Sequence, residues 1–111
     1  MSWWIYLEDE NGQTCELDVP HTEGGTYVVG GTAFAELNVT YNYSKKFKFP
    51  DLHGRLARET INELKEAVER LSKGPDDSKD YWQPTDGNVM RACGCLLAFA
   101  EEHPEGVWRV S

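Results

Sequence analysis

Ala33-Phe34-Ala35-Glu36-Leu37-Asn38-Val39-Thr40-Tyr41-Asn42-Tyr43-Ser44 is the stretch that decides the fold. Ala33, Ala35, Leu37, Val39, Tyr41 and Tyr43 alternate with Phe34, Glu36, Asn38, Thr40, Asn42 and Ser44. A period of two belongs to a strand with one face in a core and the other toward water, so the pattern predicts one strand over residues 33–44. Upstream, residues 3–7 and 14–19 are apolar-rich runs separated by Glu8-Asp9-Glu10-Asn11-Gly12-Gln13. Asn-Gly is a turn signal, and an N-terminal hairpin is expected. The diglycines Gly24-Gly25 and Gly30-Gly31 bracket Thr26-Tyr27-Val28-Val29, which reads as a further short strand.

Downstream the period changes. Ala57, Ile61, Leu64, Val68 and Leu71 form one apolar stripe at helical spacing, which predicts a helix over residues 54–73 with a charged opposite face. Glu66 with Arg70 and Glu69 with Lys73 are favourable pairs four residues apart, and Gly74-Pro75 reads as a left-handed cap followed by a stop. Residues 75–84 are an acidic loop containing Tyr81-Trp82. Thr85 has the chemistry of an N-cap, and Val89, Ala92, Cys93, Leu96, Leu97 and Ala100 make a second stripe that ends at His103-Pro104. Val107-Trp108-Arg109-Val110 is short enough for an edge strand. Strands first and helices afterwards point to a single α+β domain over residues 1–111. The expected architecture is a mainly antiparallel sheet of about four to five strands with two helices packed on one face.

The chain has 111 residues, with 11 Lys plus Arg against 19 Asp plus Glu, for a net charge of −8. A chain of this length buries roughly two-thirds of its unfolded surface, enough for one core, which excludes a multidomain enzyme. Four Trp, five Tyr and four Phe are too many for disorder driven by low hydrophobicity. The negative balance argues against direct binding to nucleic-acid phosphates. Residues 89–100, the most apolar run, contain Arg91 and fall short of the ~20 residues a membrane span needs. The three cysteines are an odd count, and Cys93-Gly94-Cys95 is too tight for an easy disulfide. Together with an N-terminus that lacks a basic leader, they fit a reducing cytoplasm better than secretion.

Three constellations can carry chemistry. Glu36, Asn38, Thr40, Asn42 and Ser44 make one polar row, which either grips a polar ligand, with Tyr27, Tyr41, Tyr43 and Trp82 available to stack on a ring, or is the wet side of the sheet. Lys45, Lys46, Lys48, His53, Arg55 and Arg58 form a basic cluster before the first helix, suited to an anion or to local charge balance. Residues 1–36 hold seven acids and no base, whereas residues 37–70 hold seven bases and five acids, so the charge is lopsided. Tyr81-Trp82 and Thr85 to Asn88 form the third group, read as a core plug and helix cap with Asn88 in reach of a ligand. No nucleophile motif surrounds Cys15, Cys93 or Cys95 with His21, His53 or His103. Cys93 and Cys95 fall roughly 200° apart on a helix and do not chelate one metal. No cofactor or metal is expected.

Leu37-Asn38-Val39-Thr40-Tyr41-Asn42-Tyr43-Ser44, Gly54-Arg55-Leu56, Tyr81-Trp82 with Thr85 and Asn88, and Pro104-Glu105-Gly106-Val107-Trp108 carry a resemblance. Over residues 24–108 the chain resembles a family of small uncharacterised proteins encoded in phage and bacterial genomes. The resemblance implies no activity, cofactor or residue role. It implies an origin in a phage or mobile element, where small acidic proteins act by binding and blocking host components. The segment before Tyr81 is shorter here than in that family.

Three functional expectations follow. The first is a non-catalytic protein that blocks a protein partner through an acidic surface around Glu8, Asp9 and Glu10. The second is a binder of a nucleotide-like small ligand using Asn38, Thr40, Asn42, Tyr43, His53, Arg55, Trp82 and Asn88. The third is a small enzyme acting on such a ligand, with His53 or Glu36 as base. A domain this small with four Trp also invites a homodimer that covers an apolar patch.

Overall fold

The computed structural model describes residues 1–21, 32–74 and 83–111. Its elements are β1 (Ser2–Glu8), β2 (Glu16–His21), β3 (Thr32–Phe34), β4 (Glu36–Thr40), α1 (Ala57–Leu71), α2 (Asp86–Glu102) and β5 (Val107–Val110), with 3-10 turns at Tyr41–Lys45 and Phe49–Leu52. The class is α+β, as expected, but the strands are divided between two sheets, a three-stranded one in the order β4-β1-β5 and a two-stranded one of β2 and β3. All pairings are antiparallel.

The three-stranded sheet has one dry face. Ile5, Leu7, Leu37, Val39 and Trp108 are each at most 4% exposed. They join a cluster with Ala57, Leu64 and Leu71 of α1 and Val89, Leu96 and Phe99 of α2. Each such fully buried aliphatic or aromatic side chain is worth about 1.5–3 kcal/mol, which is why both helices lie on this side. Trp108 Nε1 donates to Thr60 Oγ1 at 2.8 Å, and Thr60 donates in turn to the Ala57 carbonyl at 2.7 Å, so this buried indole N–H is satisfied inside the core. The other face carries Trp4, Tyr6 and Glu8 of β1. Glu36 and Arg109 stand opposite Tyr6, and Asn38 stands opposite Trp4.

The Asn11-Gly12 turn forms, with Gly12 at φ 77°, but its strands part after a single bridge between Glu8 and Thr14. The cause is a ring of three backbone bonds. Leu7 N–H donates to the Ala35 carbonyl (3.0 Å), Ala35 N–H to the Cys15 carbonyl (2.8 Å) and Cys15 N–H to the Leu7 carbonyl (2.9 Å). Beyond this ring β1 runs with β4 while β2 runs with β3.

The single strand expected over residues 33–44 is three pieces. It bends at Ala35, and at Thr40 it leaves the extended state for a 3-10 turn, because the Thr40 hydroxyl accepts the Asn42 N–H (3.4 Å) and caps the turn. Tyr43 still reaches the core, at 1% exposed, whereas Tyr41 is 40% exposed and not on the buried face the alternation assigned it.

The helix expected over 54–73 begins at Ala57, since Gly54 is in a left-handed turn and Leu56 is extended and bridges Val107 of β5. Gly54 N–H donates to the Trp108 carbonyl (2.8 Å) and Trp108 N–H to the Arg55 carbonyl (3.0 Å), which covers this edge of the sheet. At its other end Gly74 does not supply a left-handed cap, since only Gly12 and Gly54 have positive φ among the described glycines. Gly74 instead makes room for Asp86, whose Cβ lies 2.6 Å from where a Cβ on residue 74 would stand. Thr85 caps α2 as expected, its hydroxyl accepting the Asn88 N–H at 3.1 Å. The strand expected over 26–29 and the acidic loop with Tyr81 and Trp82 lie outside the described residues.

Candidate functional site

The acidic residues of the first turn come together with a residue distant in sequence. Glu8 ends β1, Asp9 and Glu10 follow it into the turn, and Glu105 stands in the link between α2 and β5. The four line one cleft of about 360 Å³ together with Val107. Pairing of β1 with β5 makes this possible, because it sets Val107 directly opposite Glu8. Asp9 has a structural task there as well. Its Oδ1 accepts the backbone N–H groups of Asn11 (2.8 Å) and Gln13 (3.0 Å), which holds the turn in shape.

The charges of the cleft act on their surroundings. Burial pushes the Cys15 thiol up, and the Asp9 and Glu105 carboxylates add to that rise. Arg109 is the basic residue that reaches Glu8, with Nε at 3.4 Å and Nη2 at 3.5 Å from Oε1, longer than a tight guanidinium–carboxylate fork. Glu105 Oε1 lies 3.8 Å from His103 Nδ1, while the other ring nitrogen of His103 bonds to the Glu16 carbonyl. Glu10 and Glu105 are exposed.

The residues expected to grip a small ligand are spread across the molecule. Asn38 lies on the outer sheet face, with its Oδ1 buried and unbonded. Thr40 is buried and caps the 3-10 turn, Asn42 is exposed on that turn, and the Tyr43 ring is in the core. His53 and Arg55 sit by β5, at the other edge of the sheet, two strand spacings or about 10 Å from β4. There His53 Nδ1 accepts the Val110 N–H (3.0 Å), and the Arg55 guanidinium forks onto Glu63, with Nη1 at 3.0 Å from Oε2. Asn88 is buried at the start of α2, donating to the Gln83 carbonyl (3.0 Å) and accepting from Arg91. Trp82 and Tyr27 lie outside the described residues.

The basic cluster is divided in the same way. Lys46 Nζ meets Asp86 Oδ1 at 2.5 Å, Arg55 serves Glu63, and Lys45, Lys48 and Arg58 are exposed. Burial pushes the Cys93 thiol up to about 12, so at neutral pH it is not a thiolate. Among the described residues no group of three or more His, Cys, Asp or Glu is placed to hold a metal ion, and no helix is long and apolar enough to cross a membrane.

Glu105, Val107 and Arg109 are the site residues that sequence reasoning missed. Their proximity follows from strand order, and no local pattern announces that residues 107–110 lie beside residues 5–8. No family model, curated protein or solved structure matches the chain.

Proposed function

We propose that this is a non-catalytic binding protein of phage or mobile-element type that docks its acidic end on a basic region of a host protein and blocks it. The observation that carries this reading is the convergence of Glu8, Asp9, Glu10 and Glu105 on one cleft that Val107 also lines. Four carboxylates lining one cleft repel one another, and a partner's cations relieve that repulsion as they bind. A nucleotide-sized pocket draws less support, since His53 and Arg55 stand at the sheet edge opposite Asn38 and Thr40.

The test compares the wild type with a Glu10→Lys/Glu105→Lys variant, which leaves the turn-forming Asp9 in place. Proteins held by the immobilised wild type from a bacterial lysate are to be released as salt rises and the Debye length falls below about 8 Å. The charge-reversed variant is to associate with the same protein about ten-fold more slowly or not at all. Binding that is insensitive to salt and equal in the variant overturns the proposal.

A further inference from the structure

The acidic cleft is one end of a longer surface. Trp4, Tyr6 and Glu8 follow one another along the outer face of β1, and Glu8 also lines the cleft. Trp4 is 42% exposed, an unusual place for an indole on a strand whose neighbour Ile5 is fully buried. Tyr6 is flanked by Glu36 on β4 and Arg109 on β5. Aromatic rings and carboxylates are thus neighbours on the face turned away from the helix-packed core.

Resting on the acidic-end reading above, we propose that this face, from Trp4 through Tyr6 to Glu8 and the cleft, docks an arginine-bearing extended segment of a protein partner. Guanidinium is the group that suits both kinds of neighbour, since it stacks flat on an aromatic ring and forks onto a carboxylate, whereas ammonium pairs with a carboxylate only as a compact, strongly hydrated point charge. Alternate residues on β1 stand about 7 Å apart, which is the spacing of alternate side chains in an extended partner chain. The face already shows the chemistry in its own Arg109, which lies opposite Tyr6 and touches Glu8 only at 3.4 to 3.5 Å. Arg109 is a resident guanidinium that an incoming one displaces from Glu8. Phosphate-bearing partners are disfavoured by the same carboxylates.

The test uses two blocked hexapeptides, one alternating arginine with serine and one alternating lysine with serine, titrated at low salt into protein labelled on its indole nitrogens. The arginine peptide is to move the Trp4 indole signal, leave that of the buried Trp108 in place, and bind more tightly than the lysine peptide. Trp4→Thr, which suits a strand, is to weaken the arginine peptide by about two- to five-fold. Arg109→Gln is to tighten it by freeing Glu8. Tyr6→Thr repeats the measurement should Trp4→Thr disturb the amide spectrum. An unmoved Trp4 signal, with binding that survives Trp4→Thr and Tyr6→Thr but is lost in Glu10→Lys/Glu105→Lys, overturns this inference and leaves the acidic-end reading standing. Failure of both peptides to bind overturns both.

Discussion

Thr60→Val tests how α1 and β5 are joined. The substitution keeps the shape of the side chain and removes the hydroxyl that accepts the Trp108 indole N–H at 2.8 Å. Both residues are fully buried, so no water replaces the lost acceptor. An orphaned buried donor costs about 1–3 kcal/mol, and Thr60→Val is expected to destabilise by about 2 kcal/mol. Trp108→Phe removes the donor itself and part of a buried ring, for about 2 kcal/mol of lost packing. In the double variant nothing polar is orphaned, so its cost is expected near that of Trp108→Phe alone, about 1–2 kcal/mol below the sum of the singles. Urea unfolding followed by far-ultraviolet circular dichroism is the assay, since Trp108 is itself a fluorophore that the variant removes. Additivity within about 0.5 kcal/mol would refute the reasoning, because it would mean that the bond has no energetic role.

Three further outcomes are expected. Gly74→Ala places a Cβ against Asp86 and forces it from Lys46, for an overpacking cost of about 1–3 kcal/mol in thermal unfolding, and Asp86→Gly in the same chain should recover much of it. The Arg55 guanidinium holds the Glu63 carboxyl below its ordinary range. The pair therefore adds stability above the ordinary carboxylate pKa and loses it as pH falls through the lower folded value, and a Glu63 carboxyl NMR midpoint at or above about 4.3 would contradict this. With its thiol pushed up to about 12, Cys93 is expected to resist alkylation at pH 8 until urea unfolds the chain, a contrast that mass mapping of the modified cysteines reads directly.

The sequence made the two helices legible because their signals are local. The stripe from Ala57 to Leu71 ends where α1 ends, and Thr85 caps α2 with its own hydroxyl. The buried face of α1 is rotated slightly from the apolar stripe, taking in Thr60 and Ala67 while Ile61 and Val68 lie at its margin. Hydrophobicity alone does not single out a threonine whose hydroxyl is paired inside the core. The strand over residues 33–44 was legible only to Val39, since a period of two says nothing of a hydroxyl that competes for the next backbone N–H, as Thr40 does. For the site, Glu8, Asp9 and Glu10 stood out as a run of charge, but Glu105 and Arg109 join them only through the pairing of β1 with β5, separated by about a hundred residues of chain.

That same pairing governs how the chain is made. The central strand of the sheet precedes both of its neighbours in the chain, and Ile5 finds one partner at Leu37 and the other at Val110. Until β5 is made, β1 therefore has an unfilled side, with Trp3, Ile5 and Leu7 next to it. The helices can form and meet before then, but the sheet closes only once residues 107–110 are made, the situation in which long-range pairing is slow and exposed strands seek other chains. Glu8, Asp9 and Glu10, adjoining that waiting strand, supply a charge that keeps nascent copies apart.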